Sequence, residues 1–240
     1  MIGGNTELRD QLRGCPAVGN LPHRQLISSD ALLSESEPSF NRAKLGSNPT
    51  YVDGADHLFG GDGDDQLVAD FPCGGHEYSG GPGIDIAGFA RSGKLTLHAQ
   101  LAQPNDNPSI KMPFYGRAYN PQVGAGAYCT VAQGTTMHPD LEILEGTSAD
   151  DLLYGNDRDN IIWGRDGDDE IHGLGGDDHL YGLQGDDRIY GEGGQDTLEG
   201  GDGFDHLFAS DGERDVLLCG PGGGRAESSD GHDEITGCKY

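Results

Sequence analysis

The chain is short of what builds an ordinary apolar core and of what marks familiar catalysis. Only 34% of its 240 residues are hydrophobic and 7% aromatic. No apolar run approaches the roughly 20 residues that span a membrane. Basic residues are scarce, 15 Lys and Arg against 41 Asp and Glu, for a formal net charge of −26. Phosphate recognition needs basic patches, so nucleic acid is excluded as a partner. Cysteines number five, at 15, 73, 129, 219 and 238, with no Cys-x-x-Cys pair to suggest zinc or thiol-redox chemistry. No Gly-x-Ser-x-Gly elbow and no phosphate-binding Gly-x-x-x-x-Gly-Lys occurs. His76-Glu77 begins a His-Glu-x-x-His helix that lacks its second His. Met1-Ile2-Gly3-Gly4 has neither the basic start nor the apolar core of a signal peptide, so the chain reads as a mature or trimmed form.

What is abundant is glycine, 42 residues, and it is periodic. From Gly146 to Phe208 seven nonapeptides follow one another without a gap: GTSADDLLY, GNDRDNIIW, GRDGDDEIH, GLGGDDHLY, GLQGDDRIY, GEGGQDTLE and GGDGFDHLF. Position one is always Gly, position six is Asp except for Asn160, and position eight is always Leu or Ile. A period of nine fits neither a helix face nor a strand alternation, which leaves a solenoid unit. Gly at positions one and four supplies backbone freedom for a tight six-residue turn. The remaining three residues suit a very short strand with one inward aliphatic side chain. Such a unit buries too little to fold alone and must stack on its copies. Two units per turn predict one wall of Leu153, Ile171, Ile189 and Leu207 facing another of Ile162, Leu180 and Leu198.

The array carries 17 Asp or Glu against Arg158, Arg165 and Arg188, a formal −14. Stacking sets the position-six carboxylates in rows, where they repel unless a cation lies between them. Oxygen donors with no His or Cys in the same register select Ca²⁺ over zinc or copper. Without it, low hydrophobicity and self-repulsion predict disorder, so folding and metal binding are expected to be linked.

These units resemble the RTX, or haemolysin-type, nonapeptide G-G-x-G-x-D-x-U-x, which Gly200 to Phe208 matches at every defined position. The resemblance implies an all-β, right-handed parallel β-roll with several Ca²⁺ ions held by the loops between successive turns. It implies side-chain ligands at Asp151, Asp169, Asp178, Asp187, Asp196 and Asp205. Asn160 would be a weaker neutral substitute, in a loop where Arg158 replaces the usual Gly. Asp56, Asp65 and Asp85 take the same place in three further units, 51–59, 60–68 and 80–88. Loop residues Asp62, Asp157, Asp166, Gly167, Gly176, Gly185, Asp202 and Gly203 complete the implied sites.

The rest of the chain divides around these repeats. Residues 1–50 hold weak helical signals at Leu8/Leu12 and at 30–35, and suggest a short helical N-terminal arm or cap. Residues 51–88 form a first repeat block. Residues 89–145 form an insertion, with strand-like alternation at 94–101 and 140–145 around a long loop. Residues 146–208 are the main array, and 209–240 a C-terminal cap pinned by Cys219–Cys238. Cys73–Cys129 would staple the insertion, which leaves Cys15 over. Disulfides and modest-affinity calcium sites both suit a secreted or cell-surface protein. Position nine is mostly aromatic, so Tyr154, Trp163, Tyr181 and Tyr190 either form a glycan or cell-surface binding ladder, or pack on one another or under the N-terminal arm or the 89–145 insertion. The expected role is a non-catalytic structural, adhesive or ligand-presenting module. The alternative is an extracellular polysaccharide-acting enzyme, with His138-Pro139-Asp140 and Tyr115-Gly116-Arg117 as the polar residues least like the repeat.

Overall fold

The computed structural model describes residues 24–28, 57–68, 76–89, 95–103, 117–119, 134–228 and 231–239. Among these residues every regular element is a strand, and the strands build a parallel β-solenoid of about 8 turns. Numbered in chain order, nine strands form the first sheet: β1 (Arg24–Ser28), β3 (Asp64–Val68), β5 (Ile86–Gly88), β9 (Ile143–Glu145), β11 (Ile161–Asp166), β13 (His179–Gln184), β15 (Thr197–Asp202), β17 (Val216–Leu218) and β19 (Glu234–Thr236). Ten form the second: β2 (His57–Phe59), β4 (Glu77–Ser79), β8 (Thr135–Met137), β7 (Arg117–Tyr119), β6 (His98–Gln100), β10 (Leu152–Tyr154), β12 (Glu170–Gly175), β14 (Arg188–Gly193), β16 (Asp205–Ala209) and β18 (Gly224–Ser228).

Consecutive repeats alternate between the sheets, so each residue pairs with the one 18 further on. Ile162 aligns with Leu180 and Leu198 in one wall, and Leu153 with Ile171, Ile189 and Leu207 in the other. All seven are fully buried. The two expected walls are therefore present, and they continue into Leu67, Ala87 and Leu144 on one side and Leu58, Tyr78 and Ala99 on the other. Burying one Leu or Ile contributes about 1.5–3 kcal/mol, so a repeat with a single inward residue depends on its neighbours.

The insertion is spliced into one wall only. In the first sheet β5 pairs directly with β9, Ile86 beside Ile143, as though residues 89–142 were absent. The described strands of the excursion, β6, β7 and β8, all join the second sheet. There β4 runs parallel to β8, β8 and β6 each run antiparallel to β7, and β6 rejoins β10 in parallel. Two antiparallel pairings let the chain leave and return without completing a turn. The strand expected within 94–101 is β6, with Ala99 inward and fully buried.

The helical signals at Leu8/Leu12 and 30–35 lie outside the described residues. The described part of the N-terminal segment is the strand β1, which extends the first sheet beyond β3. After Phe208 the repeat takes one extra residue, so Asp215 follows Asp196 by 19 rather than 18. β17, β18 and β19 then continue both sheets, and the Cys219–Cys238 disulfide joins this last turn as expected. Cys15, Cys73 and Cys129 lie outside the described residues.

Candidate metal centre

Two rows of acidic side chains run along the loops. In the first-sheet row the Asp65 N–H donates to Asp85 Oδ1, Asn160 to Asp178, Asp178 to Asp196, Asp196 to Asp215 and Asp215 to Asp233, all between 2.7 and 3.0 Å. In the second-sheet row Leu97 donates to Asp151, Asp151 to Asp169, Asp169 to Asp187 and Asp187 to Asp205, between 2.6 and 3.1 Å. Each carboxylate thus spends one oxygen on the backbone of the turn before it.

The other oxygen is the informative one. Oδ2 of Asp65, Asp85, Asp169, Asp178, Asp187, Asp196 and Asp205 is buried and receives no hydrogen bond. These seven residues are at most 2% exposed. A buried charged oxygen with no donor is too costly to persist without a proton or a cation beside it. Burial, reinforced by the charges of Asp151 and Asp187, pushes the Asp169 carboxyl up to about 9. Burial likewise raises Asp178 to about 8, Asp85, Asp187 and Asp196 to about 7, and Asp205 to about 6.

Glycine at position one is explained by these oxygens. Gly164, Gly173, Gly182, Gly191 and Gly200 are absent from the positive-φ residues. A Cβ on any of them would fall on the Oδ2 of its own repeat's Asp. On Gly164, Gly173 and Gly182 it would also crowd the carbonyl of the position-one glycine one turn on. Position one is therefore glycine for room, not for the backbone freedom expected from sequence. The freedom is needed at position four, where Gly167, Gly176, Gly185 and Gly203 have φ of 122°, 101°, 135° and 134°. It is needed equally at position two, where Arg165, Leu174, Leu183 and Glu192 hold φ of 70–95° without being glycine.

The first two repeats of the array differ. Thr147 and Asn156, at position two, keep negative φ, and their N–H groups turn inward. Thr147 N–H donates to Asp151 Oδ2 at 2.6 Å, while Asp151 Oδ1 takes Leu97 N–H and Thr147 Oγ1–H. Asn156 N–H donates to Asn160 Oδ1, and Asn160 Nδ2 reaches the Glu142 carbonyl. Asp151 and Asn160 have their polar atoms met by the protein itself, unlike the carboxylates after them.

Position five adds an outer ladder that sequence reasoning passed over. Asp150 Oδ1 accepts from Asp168 N–H, Asp168 from Asp186, Asp159 from Asp177, Asp177 from Gln195, and Asp186 from Phe204. The Asp-Asp doublets of the repeats were the signal. Asp215 was also missed, because the extra residue after Phe208 breaks the phase, whereas Asp233 was legible in Gly231-His232-Asp233-Glu234-Ile235, which keeps the Gly-x-Asp-x-Ile core of the unit. Asp62, Asp166 and Asp202 are exposed, so the loops can offer a metal their backbone there rather than a buried side chain. Asp157 and Gln103 instead exchange a reciprocal pair of hydrogen bonds. Asp56 lies outside the described residues.

Among the described residues, no three His, Cys, Asp or Glu side chains gather into a ligand cluster. A cation beside an Oδ2 must complete its shell from carbonyls, which are hard oxygen donors. That donor set fits Ca²⁺ and not zinc.

The aromatic residues of position nine separate into two environments. Tyr154, His172, Tyr190 and Phe208 form one continuous stack, with centroids 4.5, 4.5 and 4.4 Å apart and planes within 9°. His172 is also held edge-on by Glu192 and Glu170. Trp163, left by sequence between a binding ladder and packing, takes the packed course: it is 1% exposed and packs with Ile86 and Ile143, Tyr181 lying partly buried against them. From within the insertion, His138 Nε2 meets Glu77 Oε1 at 2.5 Å.

The family model for the RTX calcium-binding nonapeptide repeat (4 copies) matches residues 53–71, 145–180 and 172–207. No curated protein matches the chain.

Proposed function

We propose, from the premise that this chain carries RTX calcium-binding nonapeptide repeats, that it is a secreted, non-catalytic structural module whose solenoid forms only as calcium fills its loops. The single observation behind this is the rows of buried, donorless Oδ2 atoms. They make the metal-free fold electrostatically costly and a cation an integral part of it. The ligands are those orphaned carboxylates, Asp65, Asp85, Asp169, Asp178, Asp187, Asp196 and Asp205, with carbonyls of the adjoining loops. Asp151 opens the second-sheet part of the array and Asn160 lies within the first-sheet row, and both are satisfied by the protein itself. Bound calcium supplies the positive charge that lets successive turns stack. The chain's own part is to hold one oxygen of each carboxylate on the preceding turn and to leave room at position one.

Secretion is supported by the Cys219–Cys238 bond and by the typical setting of such repeats. The ladder of Tyr154, His172, Tyr190 and Phe208 serves the roll itself. Its rings cover one another's faces, and a sugar needs a free face to stack on. Circular dichroism of the full chain tests the proposal: a disordered spectrum in excess chelator and a β spectrum in millimolar calcium are expected. A fully folded chain in chelator at neutral pH would overturn it.

A further inference from the structure

The splice between the first repeat block and the insertion lies outside the regular array, yet the first-sheet row runs through it. Ile86 pairs with Ile143, so residue 142 stands where a repeat would carry its position-six Asp. Glu142 takes over that hydrogen bond, its Oε2 accepting the Asp85 N–H at 3.0 Å. Its other oxygen lies 4.0 Å from Arg158, whose guanidinium also donates to the Pro139 carbonyl at 3.1 Å.

Two further carboxylates meet over Gly80. Asp85 is fully buried, and its Oδ2 sits where a Cβ on Gly80 would be. Asp140 straddles the same residue, its Oδ2 accepting Ser79 Oγ–H at 2.7 Å and Gly81 N–H at 3.0 Å. Asp140 Oδ1 is buried without a donor, as is Asp85 Oδ2. Arg158 is engaged by Glu142 and the Pro139 carbonyl. No nonapeptide position accounts for Asp140, which comes from the Pro139–Asp140 turn.

We infer that Asp85 and Asp140 hold a divalent cation, calcium, that clips the returning end of the insertion to the first repeat block. The inference rests on the calcium reading above and adds to Asp85, already a ligand in that reading, a partner from outside any repeat. Such an ion couples residues 79–85 to residues 139–142 across more than fifty intervening residues. It bridges the point where the insertion leaves and rejoins the first-sheet row.

Calcium equivalents per chain, by titration calorimetry, and hydrogen exchange on the full chain test this. Asp140→Asn keeps an oxygen to accept from Ser79 and Gly81 while removing the charge. It is expected to bind about one calcium fewer than the parent. Exchange should rise in β4, β5 and β9, with β12–β16 unchanged. Asp178→Asn, in the array, serves as the comparison. An unchanged calcium count in Asp140→Asn, with Asp178→Asn losing an ion, overturns the splice site and leaves the general reading standing. A parent chain that binds no calcium overturns both.

Discussion

At the scale of the residue, a carboxylate's behaviour depends on the direction of one N–H. Where position two holds positive φ, the Asp four residues later keeps a bare oxygen, as at Asp178 and Asp187. Where it does not, as at Thr147, the N–H donates to the carboxylate and Asp151 is satisfied from within. The same type at the same repeat position therefore predicts opposite phenotypes. Asp178→Asn should remove calcium and raise the concentration needed for folding. Asp151→Asn should leave the calcium count unchanged and cost about 1–3 kcal/mol in urea unfolding through its lost hydrogen bonds. Equal calcium loss in both variants would contradict the assignment. Left-handed backbone at a non-glycine residue is itself costly, about 1–3 kcal/mol. Leu174, at φ 80°, tests this. Leu174→Gly should stabilise the calcium-loaded chain by about 0.5–1 kcal/mol after the entropy of a freer unfolded chain is subtracted, and a lowered urea midpoint would refute that.

At the scale of the element, no strand is stable alone, and the stacking of turns brings two further sets of side chains into register. One is the inner aliphatic walls, and the other is the outer stack from Tyr154 to Phe208. Inner positions were legible in the sequence because position eight never varies in character. The fate of position nine was not, because periodicity places Trp163 and Tyr154 alike on the outside. Only packing separates a buried Trp163 from a stacked Tyr154. In the stack Tyr190 has a ring on each face. An aromatic pair contributes about 0.5–1.5 kcal/mol beyond burial. Tyr190→Ala should therefore lower the thermal midpoint in calcium by roughly two such contacts, and a shift no larger than that of an exposed Glu199→Ala would show the stack to be inert.

At the scale of the whole molecule, the net charge of −26 and the raised carboxylates make proton and calcium rivals for the same oxygens. In chelator, folding retains protons that the unfolded chain has lost. Asp85, Asp169, Asp178, Asp187, Asp196 and Asp205 stand at about 6–9 in the fold, against about 4 for a free carboxyl. The sign follows: metal-free stability is greatest below pH 4 and falls as pH rises through 6–9. With calcium present the order reverses, since acid displaces the metal. Circular dichroism in chelator should show more β structure at pH 4.5 than at pH 8, and the opposite order in chelator would refute the linkage.

Composition and periodicity were enough to determine a solenoid, its two aliphatic walls and the oxygen-donor chemistry that selects calcium. Those features depend on residue type at a fixed spacing, which a repeat writes openly. Tertiary structure alone decided which carboxylates are left wanting a cation. That depends on backbone direction at position two, and Thr147 and Leu174 do not announce theirs. It also decided that the insertion enters one wall only and that Asp140, from outside any repeat, arrives over Gly80. A contact between segments more than fifty residues apart has no period for a sequence to show.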